Sequence, residues 1–217
     1  MGFGMSFELT DDEGKILVKL VRDAVGAFLK TGHTLELPKD VLQKFYMKCG
    51  VFVTISMFDK GEKVLRGCIG YPYPTNSLVE AVIDSAINAA TADPRFSSMT
   101  YVELDKCVFE VSVLTPPKLI QVDNPKKYSQ QIKVGKDGLI VEKGYNKGLL
   151  LPQVPVEWQW SEEEFLCHCC IKAGLSSDSW LTSDTKIYKF TAIIFEEQTP
   201  NGEIKRSNNQ KGSVSLK

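Results

Sequence analysis

The residues with the clearest chemical potential lie in the run 64–70, where Arg66 precedes Cys68 by two positions. In an extended strand this spacing places both side chains on the same face. A neighbouring cation favours the thiolate, which is the nucleophilic form of cysteine. Gly67 and Gly70 flank the thiol and would let a ligand or another backbone approach it closely. The run therefore predicts a ligand-binding site in which Cys68 is a candidate catalytic nucleophile.

Three further residues are candidates for the same site. Arg95 would add a second guanidinium, and paired arginines favour an anionic ligand because their forks bind carboxylate or phosphate through two hydrogen bonds. Glu110 shares a strand face with Ser112 and is the best carboxylate for acid–base chemistry, although a simple solvated face is the alternative. Gln153 would be a hydrogen-bonding group in the same cleft or a satisfied loop amide.

Two structural alternatives compete with catalysis at this motif. Free cysteine is among the most buried residue types, so Cys68 would be a small buried hydrophobe, with Arg66 as a structural ion-pair partner. The sequence supplies no convincing catalytic histidine. Recognition of a ligand or partner is therefore favoured, and a cysteine-dependent transferase or hydrolase acting on an anionic small molecule or peptide is the alternative.

The run Cys167-His168-Cys169-Cys170 has the composition of a metal site but the wrong spacing. On a helix, Cys169 and Cys170 align with apolar residues, whereas His168 aligns with charged ones. Structural zinc sites usually take four ligands from separated pairs, and His33 is the other histidine of the chain. Helix packing is the prediction here, and neither a metal nor a cofactor is predicted.

Composition limits the class of protein. The chain has 217 residues, of which 43% are hydrophobic and 24% charged, and its formal net charge is −1. The sequence lacks the clustered basic stripe that is typical of nucleic-acid-binding proteins, so nucleic-acid binding is not predicted. No apolar run reaches membrane-spanning length. The N-terminus lacks the basic and apolar blocks of a signal peptide, so a soluble, cytoplasmic protein with reduced cysteines is expected.

Capping boxes and apolar periodicity predict the secondary structure. Boxes of the Ser/Thr-x-x-Glu type begin four predicted helices, after Thr10, Ser77, Thr100 and Ser161. A shorter helix is expected after Pro38, ending near Gly50, and a helical turn around 125–131. The predicted strands are 51–58 paired with 64–69, 106–114, 132–134 paired with 139–141, and 187–195.

Hairpins dominate this pattern, which favours an α+β fold with an antiparallel sheet. A hairpin, a proline-rich loop and a capped helix follow one another over 51–92, and a similar series runs over 132–174. The series suggests two unequal lobes built from a repeated unit. Residues 207–217 lack apolar periodicity and are expected to form a flexible tail.

Six stretches, in this order along the chain, resemble the AMMECR family, which is named after a human chromosomal-deletion syndrome. Leu-Arg-Gly-Cys-Ile-Gly at 65–70 is the hallmark of that family. The others are Gly-Val-Phe-Val-Thr at 50–54, Asp-Pro-Arg-Phe at 93–96, Val-Ser-Val-Leu-Thr-Pro at 111–116, Leu-Pro-Gln-Val at 151–154, and Lys-Ala-Gly-Leu at 172–175 with Trp180. The chain departs from the family pattern at 71–74 and at 154–156.

The resemblance implies one AMMECR-like domain over 1–206, with a curved, barrel-like antiparallel sheet and flanking helices. AMMECR-like domains of some prokaryotes accompany Memo-like and radical-SAM proteins, which implies a shared protein-modification pathway. The expected function is thus a ligand- or partner-binding module in such a pathway. The expected partners are a Memo-like or radical-SAM protein and a small anionic ligand, and a homodimer is left open.

Overall fold

The computed structural model describes residues 7–37, 42–73 and 75–207. The chain divides into two compact units, each with its own antiparallel sheet. The first unit comprises the described residues up to Leu114 and from Ile193 onward, and the second comprises Thr115–Ala192. The predicted α+β class with antiparallel sheets and flanking helices is confirmed, and among the described residues neither sheet forms a closed barrel.

The first unit contains a five-stranded sheet and two long helices. Its elements are α1 (Asp11–Thr31), β1 (Gly50–Asp59), β2 (Glu62–Tyr71), α2 (Leu78–Thr91), β3 (Cys107–Leu114), β8 (Ala192–Glu197) and β9 (Ile204–Ser207). The strand order in the sheet is β2-β1-β3-β8-β9. Short 3₁₀ turns lie at Gln43–Tyr46 and Tyr101–Lys106.

Local sequence fixes both ends of α1. The Thr10 hydroxyl accepts a hydrogen bond from the Glu13 amide at 3.2 Å, and the Glu13 carboxylate accepts one from the Thr10 amide at 2.7 Å. These two bonds satisfy amides that a helix start leaves without partners. At the other end Gly32 adopts a φ of 74°, which glycine tolerates without steric cost. The predicted start and stop of this helix are confirmed.

One face of the first sheet is apolar and packs against the helices. Val51, Val53 and Ile55 of β1 are fully buried, as are Phe109, Val111 and Val113 of β3. The apolar sides of α1 and α2 complete this core, and the alanines of α2 allow a close approach. The opposite face of the sheet carries the alternate residues, and we call it the outer face.

The second unit contains a four-stranded sheet, a short helix and a longer one. Its elements are β4 (Lys118–Leu119), β5 (Gly138–Lys143), β6 (Asn146–Leu150), α3 (Val154–Glu157), α4 (Glu162–Lys172) and β7 (Lys186–Phe190), with 3₁₀ turns at Pro125–Gln131 and Ser179–Leu181. The strand order in this sheet is β4-β7-β5-β6. Phe165, Leu166, Cys169 and Cys170 of α4 are fully buried in its core.

The predicted pairing of 132–134 with 139–141 is wrong. Lys133 and Asp137 close a tight turn instead, in which the Lys133 amide donates to the Asp137 carboxylate at 2.9 Å. The hairpin forms one step later, where β5 pairs with β6. A hairpin followed by a capped helix nevertheless occurs in both units, as the sequence pattern suggested.

Two further expectations differ from the structure, and a third lies almost entirely outside the described residues. The predicted strand 187–195 is broken at Thr191 into β7 and β8, which belong to different sheets. Of the helix expected after Pro38, residues 38–41 lie outside the described residues, and the rest is only the 3₁₀ turn Gln43–Tyr46. Ser207 ends β9, and the remainder of the expected tail, 208–217, lies outside the described residues.

The single domain expected over 1–206 stays a prediction. Within the ranges that the structure describes, no helix has both the length and the apolar character needed to cross a membrane.

Candidate functional site

Cys68 lies in a polar row that crosses three strands on the outer face of the first sheet. Thr54 of β1 is directly opposite Cys68 of β2 on one side and Glu110 of β3 on the other. The Thr54 hydroxyl donates a hydrogen bond to the Cys68 sulfur at 3.4 Å. All three side chains are partly buried. The row thus brings a thiol, a hydroxyl and a carboxylate to one surface.

The expected shared face of Arg66 and Cys68 is wrong, because a bulge interrupts the alternation between them. Gly67 pairs with Ile55, but the next residue of β1 pairs with Leu65, so the register skips Arg66. The Arg66 guanidinium is bound by Glu103 at 2.8 Å and by the Ser97 carbonyl at 2.9 Å. The structure therefore shows the ion-pair alternative for Arg66, and a ligand contact by this residue stays a prediction.

The ion pair with Arg66 keeps the Glu103 carboxylate in its charged form. Its hydrogen bond with Arg66 holds the pKa of Glu103 at about 2, with the Thr100 amide as a further donor. Because Glu103 is also the reciprocal residue of the third capping box, one carboxylate anchors Arg66 and begins the 3₁₀ turn Tyr101–Lys106. Arg66 is consequently a structural cation that joins β2 to the segment following α2.

Arg95, in contrast, lies beside Cys68 as the sequence predicted. Its guanidinium binds the Asp93 carboxylate through two hydrogen bonds, at 3.0 and 2.8 Å, and approaches the Cys68 carbonyl at 3.5 Å. Asp93 also accepts the Cys68 amide at 2.8 Å. The pKa of Asp93 is lowered to about 2, chiefly by Arg95. The side chain of Arg95 is 46% exposed, so part of its guanidinium is open to solvent.

Glu110 is the titratable group of the row. Within the described part of the chain, the Glu110 carboxylate accepts a hydrogen bond from the Ser112 hydroxyl at 3.2 Å. Burial raises the pKa of Glu110 to about 7, and the negative charge of Glu196 adds to the increase, while Ser112 and Lys63 oppose it. Lys63 is itself engaged by Glu196 at 2.7 Å. A carboxyl group with this pKa can accept or donate a proton near neutral pH.

Both candidate glycines have visible packing roles. A Cβ atom on Gly67 would lie less than 3.0 Å from the backbone carbonyl of Ala89, so helix α2 occupies the space that its missing side chain leaves. A Cβ atom on Gly70 would meet the backbone of Val51 and the ring of Phe52. The close approach inferred from these glycines is thus made by the protein itself, and their contact with a ligand stays a prediction.

Gln153 belongs to the second unit, where it immediately precedes α3 with an exposed side chain. Its predicted role in ligand binding stays a prediction. In the same unit, the core packing predicted for Cys169 and Cys170 is confirmed, because both are fully buried. All six cysteines of the chain are unpaired. Across the described ranges, no three metal-ligating side chains come together as a possible metal site.

The sequence did not reveal Thr54 as a member of the site. Its signal was its position in β1, because a residue on the polar face of a central strand must touch the polar residues of both neighbours. Asp93, the first residue of the Asp-Pro-Arg-Phe stretch, was also missed, although its carboxylate accepts hydrogen bonds from both the Cys68 amide and Arg95. Strand register, which fixes the first of these contacts, is not visible in a single sequence.

The chain is similar to one protein family and to archaeal proteins of nearly the same length. A sequence model of the AMMECR1 family matches residues 18–195. Protein PH0010 of Pyrococcus horikoshii is 55% identical over 203 residues, which are 93% of this chain and 98% of that protein. Protein MJ0810 of Methanocaldococcus jannaschii is 48% identical, covering 90% of this chain and 96% of its own length.

A solved structure is similar over the same extent. The crystal structure of the uncharacterized protein PH0010 matches with a TM-score of 0.79 and 54% identity, over 93% of this chain and 99% of that one. The family match covers both the hairpin that carries Cys68 and the strand that carries Glu110. The chain therefore belongs to the AMMECR1 family.

Proposed function

We propose that this protein binds a small ligand on the outer face of its first sheet and acts as a binding module in a protein-modification pathway. The row of Cys68, Thr54 and Glu110 across three strands is the observation that carries the proposal. An exposed sheet face usually carries charged side chains that water can solvate. This row is instead partly buried and includes a carboxylate whose charge is costly.

The groups around the row indicate what the ligand would offer. A hydrogen-bond donor on the ligand would satisfy Glu110, which receives one hydrogen bond from Ser112. An acidic group on the ligand would reach Arg95, whose guanidinium is partly exposed beside the Cys68 carbonyl. Thr54 and Cys68 would contact the portion of the ligand that lies between its hydrogen-bond donor and its acidic group. The anionic ligand expected from the sequence is therefore retained in this proposal, with Arg95 rather than Arg66 as its cation.

The pathway is the part of this proposal that rests on the family resemblance. A Memo-like or radical-SAM protein is the partner that we expect to supply or receive the bound ligand. A binding module needs no activated nucleophile, which agrees with the pKa of the Cys68 thiol: burial raises it, and the nearby charges of Glu110 and Asp93 add to the effect.

Protection of Cys68 from alkylation tests the proposal. The protein is labelled with N-ethylmaleimide at mildly alkaline pH, with and without a small-molecule extract of cells, and the peptide carrying Cys68 is quantified by mass spectrometry. We expect the extract to slow labelling of Cys68 and to leave labelling of Cys167 unchanged. Cys167 is a matched internal control because it is also partly buried but lies in the second unit.

Variants make this experiment specific. Glu110→Gln should reduce the protection, whereas Asp105→Asn, which removes an exposed carboxylate of the same unit, should not. Equal labelling of Cys68 with and without extract, at every dilution, would contradict the binding proposal.

A cysteine-dependent transferase or hydrolase is the second candidate, and the pKa of Glu110 is the observation that favours it. Cys68 and Glu110 are two strands apart, which places their Cα atoms about 10 Å from each other. Glu110 would then serve the substrate rather than the thiol, by exchanging a proton with the group that leaves or attacks.

The pH dependence of Cys68 alkylation separates the two candidates. Because burial raises the pKa of the thiol, we expect the rate of reaction with iodoacetamide to rise with a midpoint above the ordinary cysteine value of about 8.5. Thr54→Val should move the midpoint higher still, since the hydroxyl stabilises the thiolate. A midpoint well below the ordinary value would favour the enzyme over the binding module.

A further inference from the structure

Three aromatic side chains of the second unit stack in a row that ends at the surface. The rings of Trp160 and His168 lie 3.8 Å apart at an interplanar angle of 4°, and those of Trp158 and Trp160 lie 6.2 Å apart at 17°. Trp158 is the outer member and is 68% exposed. We call these three residues the aromatic row.

The local backbone holds the aromatic row in place. The Trp160 amide donates to the Pro155 carbonyl at 2.8 Å, and the Trp158 amide donates to Val154 at 3.2 Å. Gln159, between the two tryptophans, has a φ of 55°, which is uncommon for a residue with a side chain. Ser161 then caps α4, which carries His168. The two indoles are therefore presented by a tight turn rather than by a free loop.

Core formation accounts for Trp160 but not for Trp158. Trp160 packs partly against the core of the second unit, and Trp180 of the same unit is only 5% exposed. Trp158 leaves most of its ring in water, and Val156, two residues earlier in the chain, is 44% exposed. Large exposed aromatic groups at a rigid position commonly mark contact surfaces, because they bury much area at little cost in conformational entropy.

The segment that carries the two tryptophans is acidic. From 149 to 171 the sequence contains four glutamates and neither lysine nor arginine. Glu162 and Glu164 serve the local structure, by accepting the Val134 amide and by capping α4. The carboxylates of Glu157 and Glu163, within the described part of the chain, have neither a hydrogen bond nor an ion pair. Two unpaired negative charges thus lie in the segment that carries the exposed indole.

We propose that the aromatic row is a docking surface for a basic segment of a partner protein, in which an arginine stacks on Trp158. Tryptophan is the best aromatic partner for a cation, and arginine is the more frequent cation in such contacts. A guanidinium on the indole also has donors left for a carboxylate, which Glu157 and Glu163 supply. This inference is independent of the ligand site on the first sheet, because every residue in it belongs to the second unit.

Binding of short labelled peptides to the whole protein tests this inference. Peptides of alternating arginine and glycine are compared, by fluorescence anisotropy, with otherwise identical peptides that carry lysine or uncharged citrulline. We expect the arginine peptide to bind most tightly, the lysine peptide less tightly, and the citrulline peptide at least about tenfold more weakly. Added salt should weaken the first two, because the carboxylates are exposed.

Substitutions locate the binding. Trp158→Ala should lower the affinity for the arginine peptide by at least about fivefold, and Trp158→Phe should retain part of that affinity. Glu157→Gln combined with Glu163→Gln should weaken binding and flatten its salt dependence. Tyr145→Ala, which removes another fully exposed aromatic group of this unit, and Asp23→Asn on α1 are the matched controls and should have no effect.

Three results would overturn the inference. The first is equal affinity for the arginine and citrulline peptides, and the second is an unchanged affinity in Trp158→Ala. The third is a dimer of the protein alone, seen by sedimentation velocity, that Trp158→Ala dissociates, because the occupant would then be a second copy of the chain.

Discussion

Replacing Gly67 by alanine is expected to lower the free energy of unfolding by about 2 to 4 kcal/mol. The added methyl group would overlap the backbone carbonyl of Ala89 in α2, and a carbonyl inside a helix cannot move aside alone. Either the helix must shift away from β2 or the strand must bend. Urea denaturation followed by circular dichroism would measure the change at neutral pH.

A second glycine provides the control for this substitution. Gly26 lies inside α1, where an added Cβ atom would meet only the end of the flexible Leu104 side chain. Gly26→Ala should therefore leave the free energy of unfolding unchanged or raise it by up to about 1 kcal/mol, since alanine favours the helix. If Gly67→Ala were as stable as the wild type, the close contact between β2 and α2 would be wrong.

Replacing Glu110 by glutamine is expected to change how stability depends on pH. The pKa of Glu110 is raised to about 7 in the folded protein, above the value of about 4.3 for a free glutamate. The folded state therefore binds the proton more tightly than the unfolded state does. The stabilisation from protonated Glu110 is complete below about pH 4 and is lost as the pH rises to about 7.

The size of this effect follows from the shift in pKa. Between pH 5 and pH 8, the wild type should lose about 2 to 3 kcal/mol relative to Glu110→Gln, which cannot ionise. Urea denaturation of both proteins at the two pH values measures the difference. A constant gap between wild type and variant across this range would show that Glu110 ionises normally.

Glu103 is a control of opposite sign. Its pKa is lowered to about 2 by Arg66, so its ionised form stabilises the protein above about pH 4, and that stabilisation is lost as the pH falls through the folded value. Glu103→Gln should therefore destabilise the protein equally at pH 5 and pH 8. Glu103→Gln thus removes a carboxylate that the folded protein stabilises in its charged form. Glu110→Gln removes one that the folded protein stabilises in its neutral form.

The elements that the sequence predicted best have local causes. All four capping boxes form, because the Ser or Thr and the Glu of each box are only three residues apart and satisfy each other's amides. The break at Thr191 could not be predicted in this way. The run 187–195 is continuously compatible with a strand, and only the assembly of two separate sheets divides it.

The candidate site could be predicted only in part, because residue types are visible in the sequence and strand pairing is not. Cys68, Arg95 and Glu110 were singled out by residue type, and the structure places Arg95 and Glu110 where their charges act on the Cys68 thiol. Arg66 was assigned to the wrong surroundings because a bulge shifts the side-chain alternation by one residue. A bulge depends on which residues of the neighbouring strand form pairs, and one sequence does not contain that information.

The hydrogen bond from Cys68 to Asp93 has a consequence for how other proteins can approach. β2 is the outermost strand of its sheet, and such strands offer unpaired amides to which a foreign strand can add. At Cys68 that amide is already taken by a carboxylate, which Arg95 holds in its charged form. A partner can therefore reach the thiol from the face of the sheet, but it cannot extend the sheet by strand addition at this point.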